Sequence, residues 1–253
     1  METFWQQLHT ASQKVLLLDY DGTLAPFQLK RNKAFPYPGV REILEKIQAS
    51  AKTRIIIVSG RAVDDLLPLL GLKHLPELWG SHGFERQLPD GTRLAQEIDV
   101  NCFHNLARAF NWMKEHGYEA DCEKKPSSLA FHWRGIENGR CQQLEKTVRN
   151  AWFPLTKGID LEIHSFDGGL ELRCAGFHKG ETVRQVLAEC GQNVSVAYLG
   201  DDLTDEDAFK ALKGKGLSVL VRETYRDTLA DYWLQPPADL IHFLQNWLSF
   251  SSK

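Results

Sequence analysis

Asp19 and Asp21 stand two residues apart where the apolar run Val15-Leu16-Leu17-Leu18 ends, and Gly22 and Thr23 follow directly. Acids that close a core element cost desolvation energy unless something neutralises them. A bound cation and a phosphorylated substrate together would supply that neutralisation. Side chains alternate along an extended chain, so the i, i+2 spacing turns both acids toward one pocket. Three more places bring polar groups to the ends of apolar runs or the starts of helices. They are Ser59-Gly60-Arg61, Lys179-Gly180, and Gly200-Asp201-Asp202 with Asp205 three residues on. Acids, a hydroxyl and an ammonium gathered in this way read as a phosphate-transferring enzyme.

The elements needed to gather them are legible in outline. The run before Asp19 is too short for a self-supporting helix and reads as a buried strand. Pro38 is expected to open a helix striped by Val40, Ile43, Leu44 and Ile47. The β-branched run at 54–58 leads into Ser59, a helix follows at about 63–70, and a short element holds Leu78-Trp79. This βαβαβ rhythm predicts a mostly parallel sheet with helical crossovers, whose ligands collect at the carboxyl ends of the strands. The rhythm returns with a helix after Lys179, strands at 194–199 and 217–221, and a last amphipathic helix behind Pro236-Pro237.

The middle of the chain is different. Leu88-Pro89-Asp90-Gly91-Thr92 predicts a hairpin turn, and Val100, Phe103, Leu106, Phe110 and Met113 mark a helix. Strands are expected near 119–123, 129–134, 160–164 and 169–173, with a helix at about 139–152 and a turn at Phe166-Asp167-Gly168-Gly169. The expectation is a small α+β module at 86–174, inserted into a main domain built from 1–85 and 175–253.

Composition narrows the class. A net charge of -3 argues against nucleic acid as a partner, because backbone binding wants a basic surface. No stretch of 18 apolar residues predicts a membrane span, and the first residues do not read as a secretory signal. The five cysteines are scattered and include no CxxC, which speaks against a disulfide framework or a thiolate zinc site. A reducing cytoplasm is the expected compartment.

Asp19-Tyr20-Asp21-Gly22-Thr23-Leu24, a run into Ser59, a lone Lys179-Gly180 and Gly200-Asp201-Asp202, in that order, resemble the haloacid dehalogenase-like (HAD) phosphatase superfamily over essentially the whole chain. Within it the chain is similar to the trehalose-6-phosphate phosphatase family. That similarity rests on Ser59-Gly60-Arg61, Gly80-Ser81-His82-Gly83-Phe84-Glu85, the stretch Gly200 to Phe209, Glu123-Lys124-Lys125 and the stretch Ser128 to Arg134. The family usually has Tyr at the place of Trp133 and Pro at that of Cys174, and the loop Ala175-Gly176-Phe177-His178 also departs from its form.

The resemblance implies an α/β fold, with a Rossmann-like parallel-sheet HAD core and an inserted α+β cap. It implies Asp19 as nucleophile, Asp21 as general acid and base, and Ser59 and Lys179 as phosphate holders. It also implies Mg²⁺ bound by Asp19, Asp201 and the main-chain carbonyl of Asp21, since hard oxygen ligands at a phosphate site favour that ion. Gly22, Thr23 and Gly60 shape the loops, with Thr23 expected on Asp21 or the loop backbone. Asp202 and Asp205 are expected to orient the metal ligands, to reach the metal through water, or to cap the next helix. Arg61, Glu123, Lys125, His132, Arg134 and Glu171 are the substrate-side candidates, Arg61 also as an orienter of its loop. The implied substrate is trehalose 6-phosphate, made upstream by a synthase whose physical contact with this chain is left open. Another glycosyl phosphate, such as that of glucosylglycerol or of a glucosyl- or mannosylglycerate, also remains open. So do a sugar phosphomutase and a noncatalytic sugar-phosphate binder.

Overall fold

The central strands are apolar from end to end because both their faces are covered. In the computed structural model, which describes residues 1–251 apart from 29, 51, 96, 134, 135 and 167, β1 (Gln13–Leu18) buries five of its six residues. β2 (Arg54–Val58) likewise buries four of five. Parallel strands sandwiched by helices have this pattern in place of alternation. The helices α1 (Glu2–Thr10), α2 (Val40–Ala49) and α3 (Val63–Leu70) bury one stripe each, Val40, Ile43, Leu44 and Ile47 in the second. β3 (Glu77–Gly80) and the hairpin of β4 (Glu85–Gln87) and β5 (Arg93–Ala95) end the first stretch. The chain continues through α4 (Val100–Glu115), β6 (Cys122–Lys125), β7 (Ser128–His132), α5 (Asn138–Trp152), β8 (Leu161–Phe166) and β9 (Gly169–Cys174). It returns with α6 (Lys179–Glu189), β10 (Val194–Gly200), α7 (Glu206–Leu212), β11 (Leu217–Val221), β12 (Tyr232–Leu234) and α8 (Ala238–Ser251).

Two compact units result, one of Met1–Leu94 with His178–Lys253, the other of Ala95–Phe177. The first holds a sheet ordered β12-β11-β10-β1-β2-β3-β4-β5. It is parallel from β12 through β3, and β4 joins antiparallel. The sheet is therefore mostly parallel, as expected, with an antiparallel hairpin added at one edge. The turn at 88–92 forms as read, with Leu88 N donating to Thr92 O at 2.9 Å. Its two strands extend the main sheet, however, so the division between units falls after Leu94 and not near residue 85. A two-stranded hairpin is marginal alone and gains by pairing with an existing edge.

In the register, Leu18 lies beside both Leu199 and Ile57, so β1, β10 and β2 leave the sheet together. Strand order reverses about β1, which makes this edge the switch point where open α/β sheets bind ligands.

The second unit is a four-stranded antiparallel sheet, β6-β7-β9-β8. One face, with Leu129, Phe131, Leu170 and Leu172, packs on Ala109 and Met113 of α4 and Val148 and Trp152 of α5. The paired register puts Glu123, Lys125, Ser128, His132 and Glu171 on the other face.

Some boundaries differ from expectation. Gly39 caps α2 at φ 90°, so the helix opens at Val40 and Pro38 sits in the turn before it. Residues 119–121 form a 3-10 turn ahead of β6. The edge strand β12 was not foreseen. Arg134, and Asp167 in the expected turn, lie outside the described residues. Among the described residues no helix is long and apolar enough to cross a membrane.

Candidate active site

Asp19, Ser59 and Asp201 follow the last residues of three neighbouring strands, and Lys179 opens α6. Asp19 is buried, and both of its oxygens are held. Lys179 Nζ donates to Oδ1 at 2.6 Å, and Thr23 Oγ1 donates to Oδ2 at 3.0 Å. Thr23 was expected on Asp21 or the loop. It reaches back to Asp19 instead, because the turn Leu24 N to Tyr20 O folds the chain over. Lys179 Nζ also donates to Asp205 Oδ1 at 2.8 Å. Burial disfavours the Lys179 ammonium, yet the two carboxylates outweigh it and hold its pKa above the ordinary value.

Asp205 has no exposed surface. It accepts from Tyr198 Oη at 2.6 Å and from the amides of Asp201 and Asp202 at 3.2 and 3.0 Å. A capping box with Asp202 completes the turn. A Cβ on Gly200 would lie 2.3 Å from the Asp205 carboxyl carbon, so only glycine lets that carboxyl in. Gly22 serves the neighbouring turn. Its φ of +85° is glycine's, and a Cβ there would meet Asp201 Oδ2 at 2.2 Å.

Carboxylate oxygens of Asp19, Asp201 and Asp205 lie within 4.8 Å of one another. Against these three acids stands one ammonium, that of Lys179. Asp201 Oδ2 is buried and accepts no hydrogen bond among the described residues. Burial, then the neighbouring acids, pushes the Asp201 carboxyl well above the usual carboxylate range. The same burial raises Asp19 to about 7, with Lys179 pulling against it. A surplus of buried negative charge and an unpartnered oxygen fit a divalent cation with oxygen ligands.

Asp21, whose side chain was expected to face the same pocket, is gripped by Arg61. The guanidinium Nε and Nη2 sit 2.6 Å from its two oxygens. Arg61 is buried and lies over the Tyr20 ring at 5.8 Å. Its place in this structure is thus on the second acid. Ser59 is buried, and its Oγ accepts from Arg61 N at 3.1 Å. The turn behind that loop is strained, since Ser81 and His82 take φ of 50° and 58°. Their amides donate to Arg61 O at 2.7 Å and Ser59 O at 3.0 Å, which fixes the loop.

On the polar face of the second unit, Glu171 Oε1 accepts from Lys125 Nζ at 2.8 Å and Ser128 Oγ at 2.7 Å. All three side chains are buried. His132 Nε2 lies 3.1 Å from Glu123 Oε2.

A family model described as trehalose-phosphatase matches residues 17–237. The chain belongs to the trehalose-phosphatase family. It is 28% identical over 264 residues to a trehalose-phosphatase of Schizosaccharomyces pombe, an alignment that covers 96% of this chain and 31% of that protein. The chain therefore spans under a third of that relative. Among solved structures it is similar to the C-terminal domain of C. albicans trehalose-6-phosphate phosphatase, with TM-score 0.85, 22% identity, and coverage of 98% and 96% of the two chains. It is also similar to a haloacid dehalogenase-like hydrolase from B. subtilis, with TM-score 0.65, 15% identity, and coverage of 92% and 99%. The fold is an α/β HAD-like core with an additional β-rich cap.

Tyr198 and Arg226 of this family member's site escaped the sequence reading, and Ser81 and His82 entered it only as part of a motif. Tyr198 is a polar ring in the otherwise aliphatic stretch Val196-Ala197-Tyr198-Leu199 before Gly200, and that contrast was a usable signal. Ser81 and His82 carry a strained backbone that composition does not announce. Arg226, taken up below, comes from a loop with no motif.

Proposed function

We propose that this chain hydrolyses trehalose 6-phosphate to trehalose and inorganic phosphate, with Mg²⁺ as cofactor and an aspartyl-phosphate intermediate. The observation that carries the reading is Asp19, buried at a sheet switch point and held by Lys179 and Thr23. An Asp19 oxygen attacks phosphorus in line, the Asp19 O–P bond forms, and the P–O bond to the sugar breaks. Asp21 delivers a proton to the departing sugar oxygen. It then takes one from the water whose oxygen attacks phosphorus and releases Asp19. Arg61 holds Asp21 in place between these roles. Lys179 offsets charge on the transferring group, and Ser59 with the neighbouring amides donates to its oxygens.

Asp19, Asp201 and the Asp21 carbonyl are proposed to hold the Mg²⁺. When bound, the ion neutralises phosphate charge that would otherwise repel the Asp19 carboxylate. Asp205 and Asp202 are read as orienters, because the Asp205 oxygens already accept from Lys179, Tyr198 and two amides. In the second unit, Glu123, Lys125, His132 and Glu171 are proposed to read sugar hydroxyls. Charge-assisted bonds from such groups discriminate among sugars because a missing hydroxyl leaves a buried partner unpaired.

The test is phosphate release from a panel with Mg²⁺ or EDTA: trehalose 6-phosphate, sucrose 6-phosphate, glucosylglycerol phosphate, the glucosyl- and mannosylglycerate phosphates, and glucose 6-phosphate. The expected result is a Mg²⁺-dependent preference for the trehalose ester that Asp19→Asn abolishes. Another preferred sugar would sink the roles given to Glu123, Lys125 and Glu171 while leaving the Asp19 chemistry. No release from any ester would sink the hydrolase reading.

A further inference from the structure

The Asp201-Asp202 turn is gripped from two sides. Asp205 takes its two amides. Its carbonyls are taken by arginines from the loop after β11. Arg226 Nη2 lies 2.8 Å from Asp202 O and 3.4 Å from Asp201 O, and Arg222 Nη1 lies 3.4 Å from Asp201 O. Arg226 is itself fixed, since its Nη1 donates to Glu206 Oε1 and to Asp227 O. Glu206, the first residue of α7, also accepts from Thr228 Oγ1 and Leu229 N, each at 2.8 Å. One carboxylate thus ties this loop to the helix that starts behind the turn. The Arg226 and Glu206 side chains are 18% and 21% exposed, so water competes little for these bonds.

Among the described residues Asp201 Oδ2 has no donor to fix it, so the backbone that carries the side chain aims this oxygen. We infer that Arg226, held by Glu206, is a positioning residue for the divalent-cation site, and that it sets the backbone which aims Asp201. The inference rests on the proposed reading of Asp201 as a cation ligand. Glu206 balances the Arg226 charge, so the effect is one of geometry and not of added positive potential. Lysine at this position would keep the charge but lose the fork that puts Nη2 on the turn carbonyls and Nη1 on Glu206.

The test is a Mg²⁺ titration of the full chain without substrate, read as the shift in melting temperature, beside the Mg²⁺ dependence of phosphate release. Arg226→Gln is expected to raise the Mg²⁺ concentration at half-maximal stabilisation about tenfold, as loss of an outer partner of a metal ligand commonly does. Glu206→Gln should move it the same way, with Arg226→Lys between. Lys114→Gln, which breaks an exposed pair with Glu119, should match wild type. Turnover of Arg226→Gln at saturating Mg²⁺ should return to the wild-type value. A melting temperature lowered equally at every Mg²⁺ concentration, with an unchanged midpoint, would make Arg226 a scaffold residue and overturn the inference. If Arg226→Gln does not fold, a wild-type midpoint in Arg226→Lys overturns it as well. Absence of any Mg²⁺ effect on the wild-type chain removes the cation reading, and this inference with it. A wild-type effect that Arg226→Gln leaves in place removes the inference alone.

Discussion

At the scale of single residues the site is a problem in buried charge. Asp19 and Asp205 share one ammonium, and side-chain exposure at Asp19, Asp205 and Lys179 is 4%, 0% and 4%. Such a group is stable only as a set, because removing one partner leaves uncompensated charge in a poor dielectric. Lys179→Met should therefore lose both phosphate release and stability, the latter by about 3–5 kcal/mol. Urea unfolding in the presence of EDTA measures it, and an unchanged midpoint would mean the pairs do not form in solution. The residue types at 19, 21, 59, 179 and 201 were legible because each closes an apolar run or opens a helix. Which group each one touches was not legible. Thr23 on Asp19 and Arg61 on Asp21 are choices among near neighbours that only folded geometry makes.

Elements are tied together by a second ionic cluster at the other end of β2. Arg54 of β2 and Arg86 of β4 both bind Glu77 of β3, each at 2.8 Å through Nε, and both bind Glu189 at the end of α6. Trp79 adds its indole N–H to Glu77 at 2.8 Å, and Arg86 lies over that ring at 4.8 Å. The cluster locks the antiparallel hairpin onto a parallel sheet. Burial alone would raise the Glu189 carboxyl, but hydrogen bonds from Arg86 and Arg54 outweigh it and hold it below its ordinary value. A folded pKa below the unfolded one gives stability that is full above the unfolded value and lost as pH falls through the folded one. The stability difference between wild type and Glu189→Gln should be widest at neutral pH and close below about 4.5, the ordinary carboxyl value. Denaturation midpoints across that range measure it, and a difference that persists in acid would mean the contribution is packing. The hairpin turn itself was readable from Pro89-Asp90-Gly91. Its membership in the main sheet was not, because a short polar strand carries no mark of the edge it joins.

For the molecule as a whole, the apolar clusters of the two units are separate, two built on the faces of the eight-stranded sheet and one on the four-stranded one. Phe131→Ala should cost the second unit about 3–5 kcal/mol, as large-to-small changes in a packed core do. Hydrogen exchange should then quicken across 95–177 with little change in 1–94, and a uniform increase would mean the two units unfold as one. What the sequence determined by itself was the order of elements, the parallel heart of the sheet, the inserted module and the candidate residues for the chemistry. Period and punctuation encode these locally, and an acid at a strand's end can stand next to the core. Only the tertiary structure decided the edge strands, the place where the units divide, and the partners of each charge. Those depend on contacts between residues far apart in the chain, such as Lys179 with Asp19 and Arg226 with Asp202, and spacing along the sequence carries no record of them.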